Sequence, residues 1–368
     1  NMEFGCQRIR DALDRRDYRL RGHIVYAPIV SCALTLGFGG SSGAEGPIAY
    51  AGAGIGSNVG KFFGLSSGML RILVGCGAGA GIAGIFKAPV GGALFAIEVI
   101  GVQFTTVSVL ALVACCIASW FTSYMFSGMT LDVPMHVVHQ FDGHLIPMVL
   151  VLGVFCGLYS VYYIGMMNRS EGFIEKVRNP WLQNIVSGLL IGVGLLMFPA
   201  LYGEGYGVLG GIINGHDGAL FSRSLFADVG SEWTVILFAG GILLIKSIVC
   251  ALTNAGGGVG GDFAPTLFAG CMAGLFFAAL CNIAAGMTLP VADFAFFGMA
   301  GVMAGAIQAP LMAMFLTVEM TGGFGLFLPL MLTALVAYAT VRLLTRRPGV
   351  QLRPSWIHRG FDRLVSRF

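Results

Sequence analysis

Eight apolar runs, at about 23 to 40, 66 to 86, 105 to 127, 145 to 166, 181 to 199, 233 to 252, 265 to 285 and 324 to 344, leave this chain few ways to fold in water. Several hold the roughly 20 consecutive apolar residues that a helix needs to cross a bilayer. Between them there is little charge: 11% of the 368 residues are Asp, Glu, Lys or Arg and 56% are hydrophobic, where a soluble domain carries about 25% charged residues. The sequence therefore predicts an all-α integral membrane protein. The apolar-out, polar-in alternation of an outer-membrane barrel is missing, so strands are not expected as spans. Glycine, at 56 residues, lets helices pack closely and break in mid-membrane.

Charge collects at the two ends. Arg8, Arg10, Arg15, Arg16, Arg19 and Arg21 stand before the first run, and Arg342, Arg346, Arg347, Arg353, Arg359, Arg363 and Arg367 close the chain. Arginines beside spans set orientation, so both ends are expected on the cytoplasmic side of a multi-pass protein of the cell (plasma) membrane. Topology accounts for these arginines, and no nucleic-acid partner is expected. The opening is read as a polar surface helix over residues 1 to 22 leading into a span, and no cleavable signal peptide is expected. Nine cysteines lie mostly inside apolar runs and form no CxxC pair. They read as small core residues, neither disulfides nor metal ligands.

Two glycine-rich turns organise the rest. In the first, Gly39 to Pro47, Glu45 stands between Gly43-Ala44 and Gly46-Pro47, and a helix is expected from Pro47 to about Phe63. Proline suits a first helical turn, and glycine permits a tight approach. The second, Gly256 to Pro265, ends in Gly261-Asp262-Phe263-Ala264-Pro265. Gly43, Pro47, Ala51-Gly52 and Gly56 recur 218 positions on as Gly261, Pro265, Ala269-Gly270 and Gly274. Ala83-Gly84, Ala88-Pro89 and Glu98 recur 221 positions on as Ala304-Gly305, Ala309-Pro310 and Glu319. Two related halves are therefore expected, at 1–127 and 145–345, joined by a non-cytoplasmic loop at 128–144 and followed by a cytoplasmic helix at 346–368.

Interrupted helices at matching places in repeated halves point to a binding site at the membrane midplane. If the halves are inverted, the two helix amino ends meet there, and their unpaired N–H groups and positive dipole ends suit an anion. A bare anion in a low dielectric costs roughly tens of kcal/mol. Neither turn contains a basic residue, so partial charges would have to hold the ion, which attracts it without trapping it. An ionisable residue at that depth is a functional candidate by default, and that singles out Glu45.

At these residues the sequence resembles the CLC family of chloride channels and chloride/proton antiporters. Gly43-Ala44-Glu45-Gly46-Pro47 matches the family's G(K/R)EGP motif and Gly261 to Pro265 its GxFxP motif; Ala88-Pro89 to Glu98, Phe315 to Thr321 and Lys246 also fit. The resemblance implies two inverted-topology repeats of broken and tilted helices, lacking here the family's first helices. It implies a homodimer in the lipid bilayer with an anion pathway in each subunit, and no cofactor beyond a bound chloride or similar small monovalent anion. Glu45 falls on the gating glutamate, whose carboxylate occupies an anion site and leaves it when protonated. The anion-binding positions carried over are Gly43, Ala44, Glu45, Gly46, Gly261, Asp262, Phe263 and Ala264, with Phe263 lining the pathway.

Four places depart from the family. Glu3 to Gln7 retains only a glycine of its GSGIP motif, Val99 stands where an inner proton-transfer glutamate is expected, Val350 stands at the pathway tyrosine, and Asp262 takes a usually apolar position. Neither valine can carry a proton or donate a hydrogen bond. Exchange of protons and a passive, uncoupled chloride channel therefore both stay open.

Other motifs are weaker. Gly39-Gly40-Ser41-Ser42-Gly43 fits GxSxG, but no strand or His/Asp pair accompanies it, so an intramembrane serine hydrolase is a distant alternative. Gly256, Gly258 and Gly261 fit GxGxxG without a βαβ unit. His136 and His139, with Asp132, Asp142 and His144, lack the second paired motif of a zinc site, and a solvated loop is expected. Glu98 and Glu319 are expected to serve as packing or helix-end partners. An organic anion is disfavoured, because carboxylates and phosphates recruit bidentate arginine.

Overall fold

The computed structural model describes residues 9–10, 12–13, 18–128, 131, 133–135, 141–215, 220–221 and 232–345. Its helices are α1 (Ala27–Gly37), α2 (Glu45–Phe62), α3 (Ser67–Phe86), α4 (Pro89–Glu98), α5 (Thr106–Ser127), α6 (Ile146–Glu175) and α7 (Pro180–Met197). They continue as α8 (Tyr206–Ile213), α9 (Glu232–Ala255), α10 (Phe263–Ala285), α11 (Val291–Ile307), α12 (Pro310–Thr321) and α13 (Phe327–Thr345). Seven of them, α3, α5, α6, α7, α9, α10 and α13, are long and apolar enough to cross a membrane.

The runs seen in the sequence become helices with some shifts. The run at 23 to 40 is broken: a 3-10 turn over Gly22–Val25 leads into α1, which has 11 residues and is too short to span. The polar helix expected over 1 to 22 stops short, since residues 18–21 lie outside any helix. They are tied to α2 instead: Leu20 N donates to Ser57 Oγ (2.9 Å), Ser57 Oγ donates to the Tyr18 carbonyl (2.5 Å) and Lys61 Nζ donates to the Leu20 carbonyl. Helix α2 begins at Glu45, two residues before the expected Pro47, with Ala44 as its N-cap. Helices α2, α4, α8, α11 and α12 fall outside the eight runs; α11 is 17 residues long and carries Asp293 in its first turn. The C-terminal helix expected at 346–368 lies outside the described residues.

The repeat is visible helix by helix, α1 to α5 against α9 to α13. In each half the helix after the glycine-rich turn packs along its successor, α2 on α3 and α10 on α11. Glycines allow it: a Cβ on Gly52 would lie 2.1 Å from the Gly77 carbonyl oxygen, and one on Gly270 would lie 2.3 Å from that of Gly298. Without water to expel, membrane helices gain their packing energy from such backbone approach. Both α3 and α11 then end on a left-handed residue that is not glycine, Lys87 (φ 52°) and Gln308 (φ 61°), before the short proline-started helices α4 and α12. The described cysteines are free and mostly buried.

Candidate functional site

The two glycine-rich turns meet main chain to main chain. Gly43 N donates to the Gly261 carbonyl (2.9 Å) and Gly261 N donates to the Gly43 carbonyl (2.6 Å), a two-bond antiparallel bridge. A side chain would break it, because a Cβ on Gly261 would lie 2.9 Å from Gly46 N and one on Gly260 would lie 2.1 Å from Ser42 Oγ. The bridge sets the amino ends of α2 and α10 side by side. Their N-cap residues, Ala44 and Asp262, make no side-chain cap bond. The first N–H groups of both helices must find other partners.

Helix α2 supplies one for α10. The Glu45 side chain is 0% exposed. Its Oε1 accepts from Ala264 N at 3.1 Å and from the Tyr206 hydroxyl at 2.9 Å. Its Oε2 is buried and makes no hydrogen bond; it lies against Gly43, where a Cβ would sit 1.9 Å from it. A tethered carboxylate therefore occupies the place at a helix amino end that suits a free anion. At the head of α2, Ala44 N donates to Glu204 Oε1 at 2.7 Å. Lys246 of α9, 0% exposed, donates to Ser41 Oγ of the first turn (2.9 Å), and its Nζ stands 4.9 Å over the Phe268 ring. An ammonium with a hydroxyl and an aromatic face for partners keeps most of its field for its surroundings.

The structure thus brings together Gly43, Ala44, Glu45, Gly46, Gly261, Phe263 and Ala264. Phe263 is buried on the first turn of α10, with its ring 5.4 Å from that of Phe95 in α4. Asp262, next to Gly261, has its carboxylate engaged by α9, where it accepts from Asn254 Nδ2 (3.3 Å) and Cys250 Sγ (3.6 Å). Val99 is the buried C-cap of α4. Val350, residues 3–7, Asp132, His136 and His139 lie outside the described residues. The two turns hold no basic residue, yet a full positive charge reaches them from α9 through Lys246. Sequence reasoning missed Glu204 and Tyr206; their signal is a single acid between Gly203 and Gly205, followed by an aromatic, in an otherwise apolar stretch.

Glu98 and Glu319 do have helix-end partners, and each serves the other half. Glu98, the last residue of α4, accepts from Leu311 N (3.3 Å) and Met312 N (2.8 Å) at the start of α12. Glu319, near the end of α12, accepts from Val90 N (3.1 Å) and Gly91 N (2.8 Å) at the start of α4. Alanine at either position strands two N–H groups, so each substitution is expected to cost about 1–3 kcal/mol. The double variant should cost less than the sum, because the first loss already loosens the shared α4–α12 contact. Thermal melts of the purified single and double variants, followed by size exclusion, read both effects.

Inside an apolar helical bundle, the amino ends of one helix from each half thus meet, and a buried carboxylate is seated on one of them. The sequence profile of the family described as voltage gated chloride channel matches residues 3–342. The chain is 30% identical over 329 residues to a putative chloride channel protein ClcB-like of Ralstonia nicotianae, covering 88% of this chain and 72% of that one. It is 30% identical over 328 residues to the H(+)/Cl(-) exchange transporter ClcA of Vibrio cholerae, covering 85% of this chain; it spans only 65% of that relative's length. Among solved structures it is similar to a slow cyanobacterial Cl−/H+ antiporter, with a TM-score of 0.78, 24% identity and coverage of 96% and 81% of the two chains. It is also similar to a CLC-type fluoride/proton antiporter, with a TM-score of 0.66, 23% identity and coverage of 84% and 72%. The chain belongs to the voltage gated chloride channel, or CLC, family.

Proposed function

We propose that this chain carries chloride or a similar small monovalent anion across the cell membrane, through the place where α2 and α10 meet, with Glu45 as the gate. The observation that carries this reading is the fully buried Glu45 carboxylate on Ala264 N, with its second oxygen unpaired. Ionised, it takes the anion's place; protonated, it loses its electrostatic reason to stay. Ala44, Gly46, Phe263 and Ala264 then offer main-chain N–H groups and a wall to the ion, framed by the bridge between Gly43 and Gly261. Among the described residues, the cation that reaches the turns is Lys246, a point charge and not the fork that recognises carboxylates or phosphates, which favours a simple ion.

Relatives point to both modes of transport, one named as an exchange transporter and one as a putative channel. Exchange of protons through Glu45 is the first reading. The passive channel is the second, and the buried Val99, which offers no proton site, favours it. Ser41 does not support a hydrolase, since its hydroxyl is buried and donates to the Leu201 carbonyl (2.5 Å).

The assembly is a homodimer, joined through the face where α4, α5, α12 and α13 lie side by side and expose Val90, Val113, Leu311 and Leu335. The termini face the cytoplasm. The test is purified protein in liposomes, with anion and proton movement recorded together and the protein cross-linked beforehand. An anion gradient that drives protons uphill supports exchange, and anion flux without protons supports the channel. No anion flux at all sinks both, and a cross-linked monomer sinks the dimer.

A further inference from the structure

Glu204 stands on a short link between α7 and α8 that is fastened to the first glycine-rich turn at several points. Ser41 Oγ donates to the Leu201 carbonyl (2.5 Å), the Tyr202 hydroxyl donates to the Gly37 carbonyl (2.9 Å), and Gly203 N donates to the Gly40 carbonyl (3.1 Å). Gly203 and Gly205, with φ of +61° and +81°, give the link a shape that residues with a Cβ rarely adopt. All of this delivers one carboxylate, Glu204, to Ala44 N at 2.7 Å. The next residue in the α2 turn is Glu45, whose Oε2 is fully buried without a hydrogen bond.

We propose that Glu204 is a second tethered carboxylate of the anion path, holding the amino end of α2 as Glu45 holds that of α10, so that an entering anion displaces both. The pattern is a chain of substitutions. Helix α2 lends an acid to α10, and the link before α8 lends an acid to α2. Each acid rests on an N–H group that a small monovalent anion would use. The charged and titratable groups around them are Lys246 of α9, whose field acts on both carboxylates, Cys32 of α1, which feels both, and Tyr206 of α8, which donates to Glu45. Helix α7 begins beside Lys176 and Arg178 and is about 27 Å long at 1.5 Å per residue. By the orientation of those basic residues, Glu204 belongs to the extracytoplasmic mouth. The ligand is thus met first by Glu204 and then by Glu45.

This inference rests on the proposed anion pathway, and the experiment separates the two. Chloride is titrated calorimetrically into the purified full chain, and chloride efflux is measured from liposomes, for wild type, Glu45→Gln, Glu204→Gln and Glu204→Ala. Glutamine at 204 keeps an oxygen acceptor for Ala44 N but carries no charge, so a purely structural link would leave binding and flux at wild-type values. The proposal expects Glu204→Gln to bind chloride about tenfold more tightly and to raise efflux, as removal of a neighbouring unit charge does. Glu204→Ala is expected to show the same gain, so either variant that elutes as folded protein reads the charge. Wild-type behaviour in the Glu204 variants, together with a clear response to Glu45→Gln, overturns this inference alone. No chloride binding by wild type and no response to Glu45→Gln overturns the pathway and this inference with it.

Discussion

Glu45→Gln protein in liposomes is expected to pass chloride at a rate that no longer follows pH and to show no proton movement driven by a chloride gradient. Glutamine keeps the oxygen that accepts from Ala264 N and the Tyr206 hydroxyl, so the change is almost purely one of charge. At about 4 Å and an effective dielectric constant near 20, two unit charges interact with about 4 kcal/mol, so an ionised Glu45 and a chloride cannot share the end of α10. Removing that repulsion raises chloride occupancy by orders of magnitude and removes the only proton that Glu45 can exchange. Efflux recorded between about pH 4 and 8, with a proton electrode in the same chamber, decides the matter. A variant that keeps the wild-type pH dependence places the titrating gate elsewhere.

Gly43→Ala is expected to have the second large effect. The added methyl group would lie 1.9 Å from Glu45 Oε2 and 2.7 Å from its carboxyl carbon. Non-bonded atoms do not approach so closely, and the obstacle is the Glu45 side chain, not backbone. The carboxylate must leave Ala264 N, giving a pathway that stays open or a protein that is strongly destabilised. Glu45→Ala removes the obstacle, so the double variant should regain most of the stability lost by Gly43→Ala alone. A double-mutant cycle measured by thermal melting is expected to show a coupling of about 2 kcal/mol or more. Additive losses would mean that Gly43 is needed only for its bridge to Gly261.

Much of this arrangement is legible in the residues. The two turns announce themselves because glycine and proline punctuate helices by fixed stereochemical rules, and the offsets of 218 and 221 survive because close-packed glycines such as Gly52 and Gly270 cannot drift. Glu45 is conspicuous as a charge in an apolar setting. The limits are equally physical. Asp262 occupies a matching turn, but sequence does not say toward which helix a side chain leans, and here it leans toward Asn254. Lys246 lies 205 positions from the serine it touches, and Glu204 lies 160 positions from Ala44. Contacts between distant segments leave no local periodicity to read. Helix α11 was hidden for another reason: at 17 residues it is shorter than a span, and its burial comes from protein neighbours.

The bridge at the centre of the seam, Gly43 with Gly261, is a pair of peptide hydrogen bonds between two residues that have no side chain. Peptide groups persist through most substitutions, so the alignment of the two arms rests on Gly43, Gly260 and Gly261 and not on the side chains presented beside them. Glu45, Asp262 and Phe263 can each be exchanged in the course of descent without moving the frame that presents them. A scaffold fastened in this way is free to change its cargo and its lock while keeping the doorway in place.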